Sequence, residues 1–183
     1  MAEKLKPFIK PVEVRRIVAS IAAEIKEDYE GKNPVMLGVL KGAFVFMSDL
    51  VRALDGLPLE VDFMQAASYG ERDEPAHEAL IIRDLTTEIK GRHVIVVEGI
   101  IDRGRTMHAV LAHLLSKEPA SLRLCTLLLR ESHKTGTVID YAGRRIGDGF
   151  VVGYGMDYKG RHRNLPGIYL LAEDSGGNRE EGG

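Results

Sequence analysis

Residues 94–107, VIVVEGIIDRGRTM, set two carboxylates and a donor-rich glycine turn at the end of an apolar run. The β-branched residues Val94, Ile95, Val96 and Val97 predict a buried strand. Glu98 and Asp102 follow, and then Arg103, Gly104, Arg105 and Thr106. In open α/β sheets, ligands collect beyond the carboxyl ends of the strands. Gly104 permits a tight turn or a positive φ. A helix starting near Arg105 would present unpaired backbone N–H groups and the positive end of its dipole. These donors, with the Thr106 hydroxyl and the Arg105 side chain, make an anion cradle. The acids beside it suit sugar hydroxyls, a divalent cation or a proton to be removed, and a phosphorylated sugar offers both kinds of target. The plainer alternative is a solvated loop whose acids cap a helix. Two other nucleotide-binding patterns are absent: no G-x-x-x-x-G-K-[ST] occurs, and no G-x-G-x-x-G follows a strand.

The rest of the chain must hold this turn in place. Val14, Ile17, Val18, Ile21 and Ile25 share one helical face, opened by Pro11 and closed near Gly31. VMLGVL (35–40) is a buried-strand pattern, GAFVFMSDLVRAL (42–54) the next helix, and LEVDFMQAASY (59–69) a strand again. GERDEPAHEA (70–79) is polar and broken by Pro75, so a long mobile loop is expected before the strand ALIIRDL. After HVIVVEG, the spacing of Met107, Val110, Leu111 and Leu114 predicts a helix, and the alternation of Leu122, Leu124, Thr126 and Leu128 a strand. FVVGYG and GIYLL are the last strand candidates. Strands alternating with helices predict an α/β fold with a mostly parallel sheet.

Bulk properties narrow the function classes. The 183 residues are 44% apolar and 28% charged, with a net charge of −2. That size suits one domain, expected over 1–174, with 175–183 a glycine-rich disordered tail. The charge balance lacks a basic footprint for nucleic acid. No apolar run approaches a membrane span, and MAEKLKPFIKPVEV lacks the core of a signal peptide. A single cysteine, Cys125, excludes an intrachain disulfide and suits a reducing compartment, so a cytoplasmic location is expected. Cys125 reads as a buried apolar thiol and His93 as structural. His108 and His113 fall on different helix faces, which argues against a zinc site.

VIVVEGIIDRGRTM resembles the phosphoribosyl-pyrophosphate motif of the type I phosphoribosyltransferases, and is most similar to their hypoxanthine(-guanine) branch. VLKGAF (39–44), SYG (68–70) and FVVGYGMDYKGRHRNLP (150–166) agree in order and spacing, so the likeness covers about residues 10 to 172. The resemblance implies a mostly parallel central sheet flanked by helices, with a small hood formed from terminal segments. It implies a purine-salvage enzyme that moves ribose 5-phosphate from phosphoribosyl pyrophosphate to a 6-oxopurine. Asp102 would be the general base facing the purine N7. Residues Arg103, Gly104, Arg105 and Thr106 would bind the 5′-phosphate. Glu98 would meet the ribose hydroxyls or the metal shell. Lys41 and Gly42, preceded by a cis Leu40–Lys41 peptide, would contact pyrophosphate. Ser68 and Tyr69 match the root of the loop that closes over the site. Phe150 would stack on the purine, and Val151 would meet the base edge through its backbone. Asp157 would lie by the purine and a second magnesium, and the Arg163 fork would grip pyrophosphate. Mg2+ is the implied cofactor, and a homodimer or homotetramer the implied assembly.

The chain also departs from that pattern. Glu98-Gly99 replaces two adjacent acids, and Arg103 stands where a small Ser or Thr is usual. Arg130, in LLLRES, takes the place of a lysine that contacts the purine 6-oxo group, and Gly149 that of another frequent lysine. A charged hydrogen bond contributes about 1.5–3 kcal/mol. Restoring the acid as Gly99→Asp is therefore expected to tighten sugar-phosphate binding about ten- to hundredfold. The departures keep two alternatives open: a nucleotide-sensing regulator with weakened catalysis, and transfer to xanthine or another base.

Overall fold

The computed structural model describes residues 3–68, 79–131 and 136–172. Tyr69, most of the 70–79 loop and the 175–183 tail lie outside them. In chain order the elements are β1 (Leu5–Ile9), α1 (Pro11–Asp28), β2 (Val35–Leu40), α2 (Phe44–Ala53), β3 (Glu60–Ser68) and β4 (Ala79–Arg83). There follow β5 (His93–Ile101), α3 (Arg105–Leu115), β6 (Ser121–Arg130), β7 (Tyr141–Ile146), β8 (Val151–Val152) and β9 (Ile168–Leu171).

Six strands form the main sheet in the order β4-β3-β2-β5-β6-β7, parallel throughout except for β4 at one edge. The continuous apolar runs of β2 and β5 exist because both faces of the sheet are covered. Met36, Ile95 and Val97 pack with Val14, Ile21, Phe46 and Leu50 of α1 and α2. Their alternate neighbours Val35, Leu37, Val94 and Val96 pack with Met107, Val110 and Leu114 of α3. The chain runs outward from β2 to β3 and β4, then returns to the other side of β2 with β5. The crevice between the carboxyl ends of β2 and β5 is thus the point where strand order reverses, the usual place for a ligand in such sheets.

The hood is a three-stranded sheet, β1-β9-β8, joining the two ends of the described chain, with β1 and β8 both antiparallel to β9. Beyond β8, the Tyr154 hydroxyl donates to Asp49 of α2 at 2.5 Å, holding the hood against the main body.

Two strands escape the pattern read from sequence. β1 contains Pro7, which a sheet edge tolerates. β7, YAGRRI, is an edge strand without an apolar run. A Cβ at its Gly143 would stand 2.4 Å from the Leu127 carbonyl oxygen and 2.5 Å from Ile17, so only glycine lets α1 pack so close. FVVGYG, expected as a strand throughout, supplies strand only at Val151–Val152. Among the described residues, no helix is long and apolar enough to cross a membrane.

Candidate functional site

A pocket of about 340 Å³ opens at the switch point. It is lined by Val39 and Leu40 from β2, Ala66 from β3, Glu98 and Ile100 from β5, and the whole 101–107 turn. The turn owes its shape to Gly104, which caps α3 with φ 72°, a left-handed conformation. Its carbonyl accepts the His108 N–H at 2.8 Å, which starts the helix. The amides of the first helical turn are then left to face an anion. Arg103 and Arg105 are exposed and Thr106 is half-buried, all at the pocket's rim.

Glu98 lies at the end of β5's apolar run with its carboxylate accepting the Gly99 N–H at 2.9 Å. Burial pushes its carboxyl up to about 7. Asp102 is half-exposed, its Oδ1 lying 3.4 Å from Nε of Arg130. Two carboxyl groups of different character therefore share one pocket: one held by its surroundings near neutrality, the other beside a guanidinium.

The β2 end contributes the 41–43 loop, entered through a cis Leu40–Lys41 peptide, with Lys41 exposed. The carbonyl of Gly42 is wedged between two other glycines. A Cβ at Gly99 would stand 3.0 Å from that oxygen, and one at Gly155 would stand 2.3 Å from it. Gly155 has φ +97°, and its own carbonyl accepts from Arg163 at 2.7 Å. Arg163 is ion-paired with Asp157 at 2.6 Å, and Asp157 also accepts the Gly160 N–H at 2.7 Å. Gly42 and Arg163, paired in sequence only by resemblance, are thus joined in space through Gly155.

This geometry changes the meaning of one departure. The space beside Gly99 holds the Gly42 peptide, so a restored carboxylate there must displace that loop. The binding gain expected for Gly99→Asp is offset by that displacement. Sequence reading missed the wedge; its only trace is the coincidence of three glycines at the ends of elements that meet at the sheet's rim.

Phe150 is 51% exposed and meets the Tyr158 ring edge-on at 5.6 Å, leaving ring surface to solvent. Val151 is buried in the hood sheet opposite Leu170. Arg130 donates to the Gly147 and Gly149 carbonyls at 2.6 and 2.9 Å. Ser68 ends β3, two residues beyond the pocket-lining Ala66. Tyr69 is outside the described residues. Among those residues, no three His, Cys, Asp or Glu side chains gather as a metal cage. Asp157 is not part of the pocket lining and is already paired with Arg163.

Comparison with known proteins bears on this arrangement. The family model for the phosphoribosyl transferase domain matches residues 12–159. The hypoxanthine phosphoribosyltransferase of Haemophilus influenzae is 45% identical over 162 residues, covering 86% of this chain and 90% of that protein. The hypoxanthine-guanine phosphoribosyltransferase of Aquifex aeolicus is 39% identical over 173 residues, covering 93% and 97%. A crystal structure of a hypoxanthine-guanine phosphoribosyltransferase from Bacillus anthracis, with a HEPES molecule in its active site, superposes with a TM-score of 0.87 at 37% identity. It covers 92% of this chain and 100% of that one.

Proposed function

The chain belongs to the phosphoribosyltransferase family, in its hypoxanthine(-guanine) branch, and is a pentosyltransferase of purine salvage; from that premise we propose how its own residues carry the reaction. The substrates are a 6-oxopurine, hypoxanthine in the first place, and phosphoribosyl pyrophosphate. N9 of the purine attacks the anomeric carbon as the bond to pyrophosphate breaks. Pyrophosphate leaves with the bonding electrons, and the proton on N7 passes to Asp102. The products are the nucleoside 5′-monophosphate and pyrophosphate.

The amides and side chains of Arg103, Gly104, Arg105 and Thr106 hold the 5′-phosphate at the α3 N-terminus. Lys41, the Gly42 backbone and Arg163 take the pyrophosphate, with Ser68 and Tyr69 at the root of the covering loop. Arg163 must share or leave Asp157 to do so. Phe150 offers its exposed ring to the purine, and the Val151 backbone its edge. Asp102 is half-exposed, and substrate binding excludes water around it, which strengthens a carboxylate as a base.

Mg2+ fits the donor set as a shared ion. It prefers oxygen ligands and draws most of them from water and substrate phosphates, so a lone carboxylate such as Glu98 suffices where a protein cage is absent. Asp157 is the second candidate ligand. When bound, the ion would neutralise charge on the departing pyrophosphate. A cytoplasmic location and a homodimer or homotetramer belong to the same proposal, supported by the unpaired, buried Cys125 and by the resemblance respectively.

The observation that carries this reading is the meeting of Asp102, Glu98 and the α3 anion cradle in one pocket at the switch point. The test is nucleotide formation from hypoxanthine, phosphoribosyl pyrophosphate and Mg2+, with guanine and xanthine in parallel. Asp102→Asn should lower turnover about a hundred- to ten-thousandfold with little change in substrate affinity. Undiminished turnover would remove Asp102 from its role. Nucleotide binding without any turnover in the unaltered protein would point to the regulator instead.

A further inference from the structure

Resting on the reaction just proposed, we infer that Arg130 is a positioning residue that holds the general base and the purine-stacking segment in one register, with Gly149 as its matched partner. Arg130 ends β6, between the β5 turn that carries Asp102 and the β7–β8 turn that leads into Phe150. Its side chain is only 10% exposed. One terminal nitrogen donates to the Gly147 carbonyl at 2.6 Å and the other to the Gly149 carbonyl at 2.9 Å. Nε then lies 3.4 Å from Oδ1 of Asp102.

The guanidinium is planar and rigid, so two fixed carbonyls determine where Nε points. A lysine ends in a single nitrogen. Its donors radiate from one point and do not span acceptors on both sides of the strand end. Gly149 completes the device. Its φ is +111°, and a Cβ there would stand 2.8 Å from Cδ2 of Leu170. A side chain at 149 is therefore strained, and the carbonyl that Arg130 holds is presented by a glycine conformation. The two departures from the family pattern act as a pair. Together they tie Asp102 to the backbone one residue before Phe150, so that base and stacking ring move as a unit.

The test uses the full chain with Arg130→Lys, Arg130→Met and Gly149→Ala. The readouts are the single-turnover rate of nucleotide formation at saturating substrates, the KM for hypoxanthine, and amide hydrogen exchange. Misplacing the base should lower the single-turnover rate roughly ten- to hundredfold in both Arg130 variants, with KM for hypoxanthine changed about threefold or less. Gly149→Ala should lower the rate too, and its effect should largely vanish in an Arg130→Met background, as for residues acting through one contact. Exchange should quicken together at 102–106 and 147–152 in Arg130→Met while α1 and β2 keep their protection, which also reports that the variant is folded. Full retention of rate by Arg130→Lys would overturn the inference. So would a rise in hypoxanthine KM alone, which is the mark of a direct contact with the base. Unaltered exchange at both turns would overturn it even if the unaltered protein made no nucleotide. That last result would count against the proposed reaction, and the exchange data would still decide on the tether.

Discussion

Glu98 makes the stability of the protein fall as pH rises from about 4.5 to about 7. In the fold its carboxyl is pushed from its ordinary value of 4.5 up to about 7 by burial, only partly offset by the Gly99 N–H. The folded chain therefore keeps a proton that the unfolded chain has released. Between those two values the unfolded state binds fewer protons, so stability declines with rising pH, and the loss is complete above about pH 7. The interval corresponds to about 3 kcal/mol. Glu98 is partly open to solvent from the pocket, so water screens some of that cost and the figure is an upper bound. Glu98→Gln keeps the shape and removes the charge. Urea unfolding of both proteins at several pH values from 5 to 8.5, with a chelator present, isolates this group, because other titrating residues cancel in the difference. The variant should gain about 1–3 kcal/mol on the parent protein between the acid and alkaline ends. A difference that stays constant across the range would refute the reasoning. A difference of opposite slope would mean that Glu98 is ion-paired in solution.

Three further outcomes are expected. Gly99→Asp presses a Cβ against the Gly42 carbonyl at 3.0 Å. Overpacking of that kind costs about 1–3 kcal/mol, so Tm should drop by several degrees in a calorimetric scan. Because the 41–43 loop, proposed above to hold pyrophosphate, is what moves, titration with phosphoribosyl pyrophosphate should show a gain below about tenfold; a larger gain at unchanged Tm would contradict the wedge. Arg163→Met removes the fork held by Asp157 and Gly155. It should weaken pyrophosphate binding about ten- to hundredfold by calorimetry and leave purine affinity near its original value; equal losses for both ligands would indicate a collapsed hood instead. Cys125 is fully buried and its thiol pKa is pushed far up by that burial, so iodoacetamide should label it only after denaturation, as read by mass spectrometry.

Much of this site was legible because strand ends and glycine turns leave local marks. The apolar run of β5, the acid at its end and Gly104 before a helical periodicity suffice to foresee a turn into a helix N-terminus, and the φ of 72° at Gly104 is one of the conformations that reading allowed. The hood was foreseen only through the family resemblance. β1 hides behind Pro7, and β7 behind Gly143 and two arginines, because edge strands need no continuous apolar face. The Gly42–Gly99–Gly155 wedge was invisible for a different reason. It joins residues far apart in sequence, and what matters there is an absent side chain, which no periodicity reports.

Of the four departures that the family resemblance marks, those at Gly99, Arg130 and Gly149 sit where the structure supplies a local answer. Gly99 lacks a carboxylate, and the room is taken by the Gly42 peptide of the 41–43 loop. Arg130, which by the family resemblance stands in a lysine's place, donates to the carbonyl of Gly149, the position of another frequent lysine in that pattern. Decay of an unused site would remove groups without regard to neighbours, leaving voids or unpaired donors. Here the guanidinium donates on both terminal nitrogens, and the glycines sit where a Cβ would clash. Arg103 stands apart, exposed at the cradle's rim with no side-chain partner among the described residues. Its charge is free to follow an incoming phosphate, whereas the replacements at 99, 130 and 149 are bound into the framework. That division separates a remodelled scaffold from a tuned approach to the substrate, and it argues for a working enzyme with its own internal supports.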